Sequence, residues 1–99
     1  METVFEYVGI QKSESLEEYT QNKLDKLERK YDFIVRAEVH FKKHENQDPK
    51  GHVCNIKVSV PGPQIFAQSN EESYEAAAAE SVRDVEKQLE KLKAKMKTH

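Results

Sequence analysis

The sequence predicts an α+β domain with the element order β-α-β-β-β-α, in which a four-stranded mixed sheet carries two parallel helices packed on one face. Two segments repeat apolar side chains every three or four residues, as amphipathic helices do, and other segments alternate apolar with polar residues, as half-buried strands do. Each alternating strand has one apolar face, so both helices should pack on the same side of the sheet. The first helix joins strands 1 and 2 as a right-handed parallel crossover.

Composition limits what the chain can do. Its 99 residues are expected to form one domain, residues 1–99, with a single modest core. The net charge is −2, from 16 basic and 18 acidic side chains, so any binding of nucleic acid requires segregated rather than excess charge. One cysteine permits no intramolecular disulfide and suits a reducing compartment.

The sequence also gives expectations about location and assembly. No signal pattern is visible at the N-terminus, and no apolar run approaches the roughly 20 residues of a membrane span. We therefore expect a cytoplasmic protein without membrane contacts. The polar balance of the chain predicts a monomer.

The first strand and helix follow from local signals. Residues Thr3–Val8 are rich in β-formers, and a helix is predicted from Ser13 or Ser15 to about Tyr31. Ser15 has capping-box spacing with Glu18. The predicted inner face of this helix consists of Leu16, Thr20, Leu24, Leu27 and Tyr31.

Three more strands are predicted from alternation and turn residues. Segments Phe33–Lys43 and His52–Val60 form a hairpin around the polar turn His44–Gly51, and Gln64–Ser69 is a short last strand after a turn at Gly62. The side chains predicted to face the core are Val35, Ala37, Val39, Phe41, Cys54, Ile56, Val58, Val60, Ile65 and Ala67.

The segment Ser73–His99 predicts one long amphipathic helix, capped by Asn70 or Ser73. The run Ala76–Ala79 is a strong helix former, and no Gly or Pro interrupts the segment. Its apolar stripe consists of Tyr74, Ala78, Val82, Val85, Leu89, Leu92 and Met96.

Charge is segregated on the first predicted helix. On a helical wheel with about 100° per residue, its acids gather on one flank and its lysines on the other. The acidic flank is Glu14, Glu17, Glu18, Asp25 and Glu28, and the basic flank is Lys23, Lys26 and Lys30, with Tyr19 among them. Exposed ion pairs add little stability, so pairing alone explains this pattern poorly, although pairing and plain solvation remain open.

The last predicted helix carries a second basic row. Its members are Arg83, Lys87, Lys91 and Lys95, at steps of four residues. Because both helices carry their cations on the same rotational side, we expect the two rows to lie side by side and to bind RNA phosphates rather than to read bases. Acids also precede three cations by three residues, in the possible pairs Glu80–Arg83, Asp84–Lys87 and Glu90–Lys93.

Signals for catalysis are weak. The alternation around Cys54 places it in the core, where it would be a poor nucleophile. His44 and His52 could approach each other but lack a third metal ligand, and the three glycines form no phosphate loop. The sequence therefore predicts no catalytic residue, no metal, no cofactor and no small-molecule substrate.

Several stretches in order carry a resemblance to a known family. They are Ser13-x-x-Leu16-x-x-Tyr19, Lys23-Leu24-x-Lys26-Leu27-Glu28, Tyr31-Asp32-x-Ile34, Ile65-x-Ala67, Ser73-Tyr74-x-Ala76-Ala77 and Gln88-Leu89-x-Lys91-x-Lys93-x-Lys95. With the element order and the length, the chain resembles the short ribosome hibernation-promoting factors, also called the ribosome-associated inhibitor or sigma-54 modulation family. The resemblance covers essentially the whole chain.

The resemblance implies a domain that binds the small ribosomal subunit, blocks the channel for messenger and transfer RNA, and so inhibits translation in starved or stationary cells. Carried over by position, the residues implied to contact ribosomal RNA are Lys23, Lys26, Arg83, Lys87 and Lys91. Lys30 and Lys95 continue the same two rows. The sequence departs from the family in its acids on the last helix, Asp84, Glu86 and Glu90, where members are often more basic.

A second hypothesis from a different class is a protein-interaction module that uses the uncovered face of the sheet. That face is predicted to carry Phe66, Arg36, Glu38, His40 and Lys57.

Overall fold

The element order confirms the predicted fold class. A computed structural model describes residues 1–45 and 49–97 of the chain. The elements are β1 (Glu2–Val8), α1 (Glu14–Lys30), β2 (Arg36–Lys43), β3 (His52–Ser59), β4 (Ile65–Glu71) and α2 (Tyr74–Lys97). The predicted turn residues 46–48 and helix-end residues 98–99 lie outside the described residues.

The four strands form one mixed sheet in the order β1-β2-β3-β4. Strand β1 runs parallel to β2, and the other two neighbouring pairs are antiparallel. Each helix follows a strand that runs in the same direction, so α1 and α2 are parallel, as predicted. The turn before β4 contains Gly62 at φ +103°, a value that glycine adopts without strain.

One face of the sheet forms the core together with the two helices. Phe41 lies at its centre, fully buried, with the rings of Phe5, Tyr7 and Tyr74 packed around it. The predicted inner face of α1 is buried throughout. On α2 the residues Ala77, Ala78, Ser81, Val82, Val85 and Leu89 are buried.

Both helices begin at a serine cap. The Ser13 hydroxyl accepts a hydrogen bond from the Leu16 backbone N–H at 3.2 Å, so Ser13, not Ser15, caps α1. The Ser73 hydroxyl accepts from the Ala76 N–H at 3.0 Å and caps α2. These contacts satisfy N–H groups that have no partner within the helix.

Two predicted core positions are wrong. Val35 is 61% exposed, while its neighbour Ile34 is buried, because Val35 lies at the end of the sheet: its N–H donates to the carbonyl of Ser59, the last residue of β3, and β2 begins only at Arg36. Met96 is 47% exposed. The 24 residues of α2 span about 36 Å, whereas strands of seven or eight residues span about 25 Å, so its last turns extend beyond the sheet.

A buried polar contact joins α2 to the sheet, and sequence reasoning missed it. The Ser81 hydroxyl donates to the Cys54 carbonyl at 2.8 Å and lies 2.9 Å from the Ser69 hydroxyl. Cys54 itself is fully buried, as predicted. Burial raises the pKa of the Cys54 thiol to about 12, and the Ser81 side chain opposes part of this rise.

The raised pKa of Cys54 predicts a loss of stability at high pH. In the unfolded chain the thiol ionises near its ordinary value of 9.0, while the folded state keeps it protonated to about 12. The stabilisation is therefore complete below about pH 9 and is lost as the pH rises toward 12. Urea unfolding at pH 7 and pH 10.5 should show a larger loss for the wild type than for Cys54→Ala. An equal loss in both proteins would contradict the assignment.

Candidate nucleic-acid interface

The basic flank of α1 faces α2 and lines a groove between the two helices. The groove has a volume of about 320 Å³. Its walls are Lys23, Lys26 and Lys30 from α1 with Arg83 and Glu86 from α2, and its apolar floor is Leu27, Ala79 and Val82. Four of the seven predicted RNA-binding residues therefore lie around one groove. Parallel packing of the helices brings them together.

The groove cations differ in their contacts within the protein. Lys30 donates to Glu86 at 2.7 Å across the groove, and this hydrogen bond and charge raise the pKa of Lys30. Arg83 donates to Glu80 at 2.5 Å, as the sequence spacing predicted. The Lys23 ammonium lies 5.0 Å from the centre of the Tyr19 ring, a cation–π contact.

The remaining predicted residues lie on another side of α2. Lys87 borders a polar depression with the edge strand segment 68–71 and with Glu80 and Asp84. Lys87 and Lys91 flank a second shallow depression beside Glu90. Lys95 is exposed on the next turn. We expected the basic rows of α1 and α2 to lie side by side along their whole length. In the structure, only Arg83 of the α2 row lies beside the lysines of α1.

The acidic flank of α1 faces away from the groove and contacts β1. The Tyr7 hydroxyl donates to Glu17 at 3.0 Å, and the N-terminal ammonium of Met1 donates to Glu28 at 2.6 Å. Pairing with a neighbouring element, one of the alternatives left open by the sequence, therefore explains part of the acidic flank. It leaves the basic flank directed at the groove.

Two of the three proposed acid–cation pairs on α2 have other contacts in the structure. Asp84 accepts a hydrogen bond from Gln88 at 3.2 Å. Lys93 donates to the Lys30 carbonyl at 3.2 Å and lies 5.4 Å from the centre of the Tyr31 ring. Lys93 therefore binds the C-terminal end of α1, where the helix dipole favours a cation. The sequence contains no signal for this contact, because it depends on how far α2 extends along α1.

Other chemistries find little support in the described residues. Within residues 1–45 and 49–97, no group of three or more His, Cys, Asp or Glu side chains could hold a metal ion. None of the described helices is long and apolar enough to cross a membrane. The buried Cys54 thiol, with its raised pKa, lacks the exposure and thiolate character that a nucleophile needs.

The fold and the basic groove agree with a family assignment. The profile of the family described as sigma 54 modulation protein / S30EA ribosomal protein matches residues 3–97. The chain belongs to this family, which consists of ribosome-associated factors rather than enzymes.

Solved structures give the same fold. A ribosomal subunit interface protein from Coxiella burnetii is 26% identical, with a TM-score of 0.83 over 95% of this chain and 99% of that one. The N-terminal domain of Protein Y from Thermus thermophilus is 20% identical, with a TM-score of 0.79 over 93% of this chain and 99% of that one, a likeness of fold alone. A search of curated proteins gave no match.

The contacts of Lys93 predict a role in stability. Replacing Lys93 with alanine should lower the free energy of unfolding by about 0.5–1 kcal/mol, the usual contribution of an exposed cation–π contact. Lys91→Ala is the matched control, since Lys91 is an exposed lysine on the same helix. Urea unfolding of both variants at pH 7 measures the difference. Equal stability of the two variants would contradict a structural role for Lys93.

Proposed function

We propose that this protein is a ribosome-associated translation inhibitor, a hibernation factor without catalytic activity, that binds small-subunit rRNA and blocks the mRNA/tRNA channel. The observation that carries the proposal is the cluster of Lys23, Lys26, Lys30 and Arg83 around one groove, on a chain whose net charge is −2. Membership of a ribosome-associated family supports it, as does the likeness to a Coxiella protein described as a ribosomal subunit interface protein.

The proposed mechanism is occlusion. Groove lysines neutralise rRNA phosphates and fix the position of the domain, while the folded body of 48 × 23 × 18 Å excludes other chains from the space it fills. A second stretch of the rRNA backbone is bound on the other side of α2 by Lys87, Lys91 and Lys95. The protein acts as a monomer in the cytoplasm, and binding needs no cofactor or small-molecule substrate.

A second candidate function uses the uncovered face of the sheet as a protein-binding surface. Phe66 is 52% exposed there, next to a depression of about 130 Å³ that it shares with Glu38, His40, Asn55 and Lys57. The Asn55 side-chain oxygen is buried without a hydrogen-bond partner within the described part of the protein. An exposed aromatic ring beside an unsatisfied acceptor is a feature of interaction sites.

Charge reversal in the groove and on the outer row tests the primary proposal. Lys26→Glu combined with Lys87→Glu should weaken binding to purified small subunits by more than about tenfold, because each reversal removes a phosphate contact and adds a repulsion. Lys26 and Lys87 have no hydrogen bond or ion pair in the described structure, so the change breaks no internal contact. Co-sedimentation at low and moderate salt measures the affinity.

The matched control reverses Lys12 and Lys50, which are exposed residues outside both helices, and gives the same net charge. Control binding should stay close to wild type. Wild-type affinity should also fall with salt, with a slope of log K against log salt of about −3 from the four groove cations alone and about −5 if Lys87, Lys91 and Lys95 also neutralise phosphates. Equal losses in both double variants, or a flat salt response, would contradict binding through the helices. Binding that survives Lys26→Glu/Lys87→Glu but is lost in Phe66→Ala would favour the sheet-face alternative.

A further inference from the structure

The groove between the helices contains an acid as well as cations. Glu86 lies on the α2 side of the groove and accepts a hydrogen bond from Lys30 at 2.7 Å. The side chain of Glu86 is 33% exposed, against 63% for Lys30, so Glu86 is the more buried partner of the pair. The Glu86 carboxylate therefore binds the Lys30 ammonium, which an RNA phosphate would also bind.

We infer that Glu86 is an internal competitor for Lys30, one of the phosphate-binding cations of the groove, so that it lowers the affinity of this surface for RNA. The inference rests on the proposed rRNA-binding function and concerns the regulation of that same site. In the free protein, Glu86 holds the Lys30 ammonium. When an RNA phosphate enters the groove, it takes this ammonium and leaves Glu86 without a partner beside the incoming negative charge.

Other acids near the groove are placed differently. Glu80 pairs with Arg83 along the same helix, at 47% exposure, and is not part of the groove wall. Glu90 lies one turn beyond Glu86 and influences Lys30 through its charge, whereas Glu86 also makes a hydrogen bond to it. Glu86 alone among these acids joins the two helices by a direct ion pair.

The ion pair between Lys30 and Glu86 is weak enough for RNA to displace Glu86. Ion pairs between solvent-exposed side chains contribute little in water and weaken further with salt. A polyanion that offers several phosphates can therefore release Lys30 from Glu86. Breaking the Lys30–Glu86 contact costs free energy. The net affinity for RNA is lower by this amount, because the Lys30–phosphate contact replaces an existing contact.

The test is a double-mutant cycle on binding of the full chain to purified small ribosomal subunits at fixed salt. The variants are Glu86→Gln, Lys30→Ala and the combination of the two. Glu86→Gln should tighten binding about two- to fivefold, the range that corresponds to an exposed pair. In the Lys30→Ala background the same change should have little effect, because the cation that it frees is absent.

Glu90→Gln is the matched control, since it makes the same change in charge one turn further along α2. It should change affinity less than Glu86→Gln. Thermal unfolding confirms that each variant folds.

The outcomes separate this inference from the function on which it rests. If the wild type fails to bind small subunits, the proposed function is overturned and the inference falls with it. If the wild type binds but Glu86→Gln tightens binding equally with and without Lys30, Glu86 acts only as a general negative charge. That result overturns the inference alone, as would a Glu86→Gln affinity no tighter than that of Glu90→Gln.

Discussion

The structure depends on a sheet that has only one apolar face. Both helices must cover that face. If Phe41 and Ile56 stayed exposed to water, the protein would lose the burial of apolar surface that stabilises a chain of this size. The parallel β1–α1–β2 crossover and the antiparallel return through β3 and β4 then make the two helices parallel neighbours. The groove between them is a direct result of this packing.

Packing alone would not make the groove basic; the distribution of charge on α1 does. Two of its acids, Glu17 and Glu28, bind Tyr7 of β1 and the N-terminal ammonium of Met1, and its lysines line the groove on the side of α2. Placing four cations around one groove carries a repulsive cost. Glu86 reduces that cost through its contact with Lys30, and Leu27, Ala79 and Val82 provide apolar contact beneath them.

The sequence predicted the fold well because both helices and strands β2 and β3 carry their own periodicity. Leu24 and Val85 lie on inner faces that a helical repeat identifies, and Ala37 and Ile56 on faces that alternation identifies. Val35 was misplaced because alternation continues in the sequence before the strand begins. Met96 was misplaced because a helical repeat does not show where the sheet beneath it ends.

The sequence predicted the lysines that line the groove on the α1 side, but it did not predict the contacts between the two helices. Segregation on the wheel identifies Lys23, Lys26 and Lys30 as one flank, but spacing along one helix cannot show that Lys30 meets Glu86 on the other. The same limit applies to Lys93 and to Ser81, whose partners lie 63 and 27 residues away in the chain. Contacts of this kind depend on the relative shift of two elements, which no local pattern contains.

The step of four residues between the cations of α2 determines which surfaces of the protein they reach. Four residues turn a helix by about 400°, so each cation lies about 40° further round than the last. From Arg83 to Lys95 the row turns by about 120°, away from the groove. Arg83 joins the lysines of α1, whereas Lys87 and Lys91 border surfaces that α1 does not reach. A single flat phosphate surface cannot contact all seven predicted residues. An RNA that bound both the groove cations and the outer cations of α2 would have to curve around the exposed side of this helix.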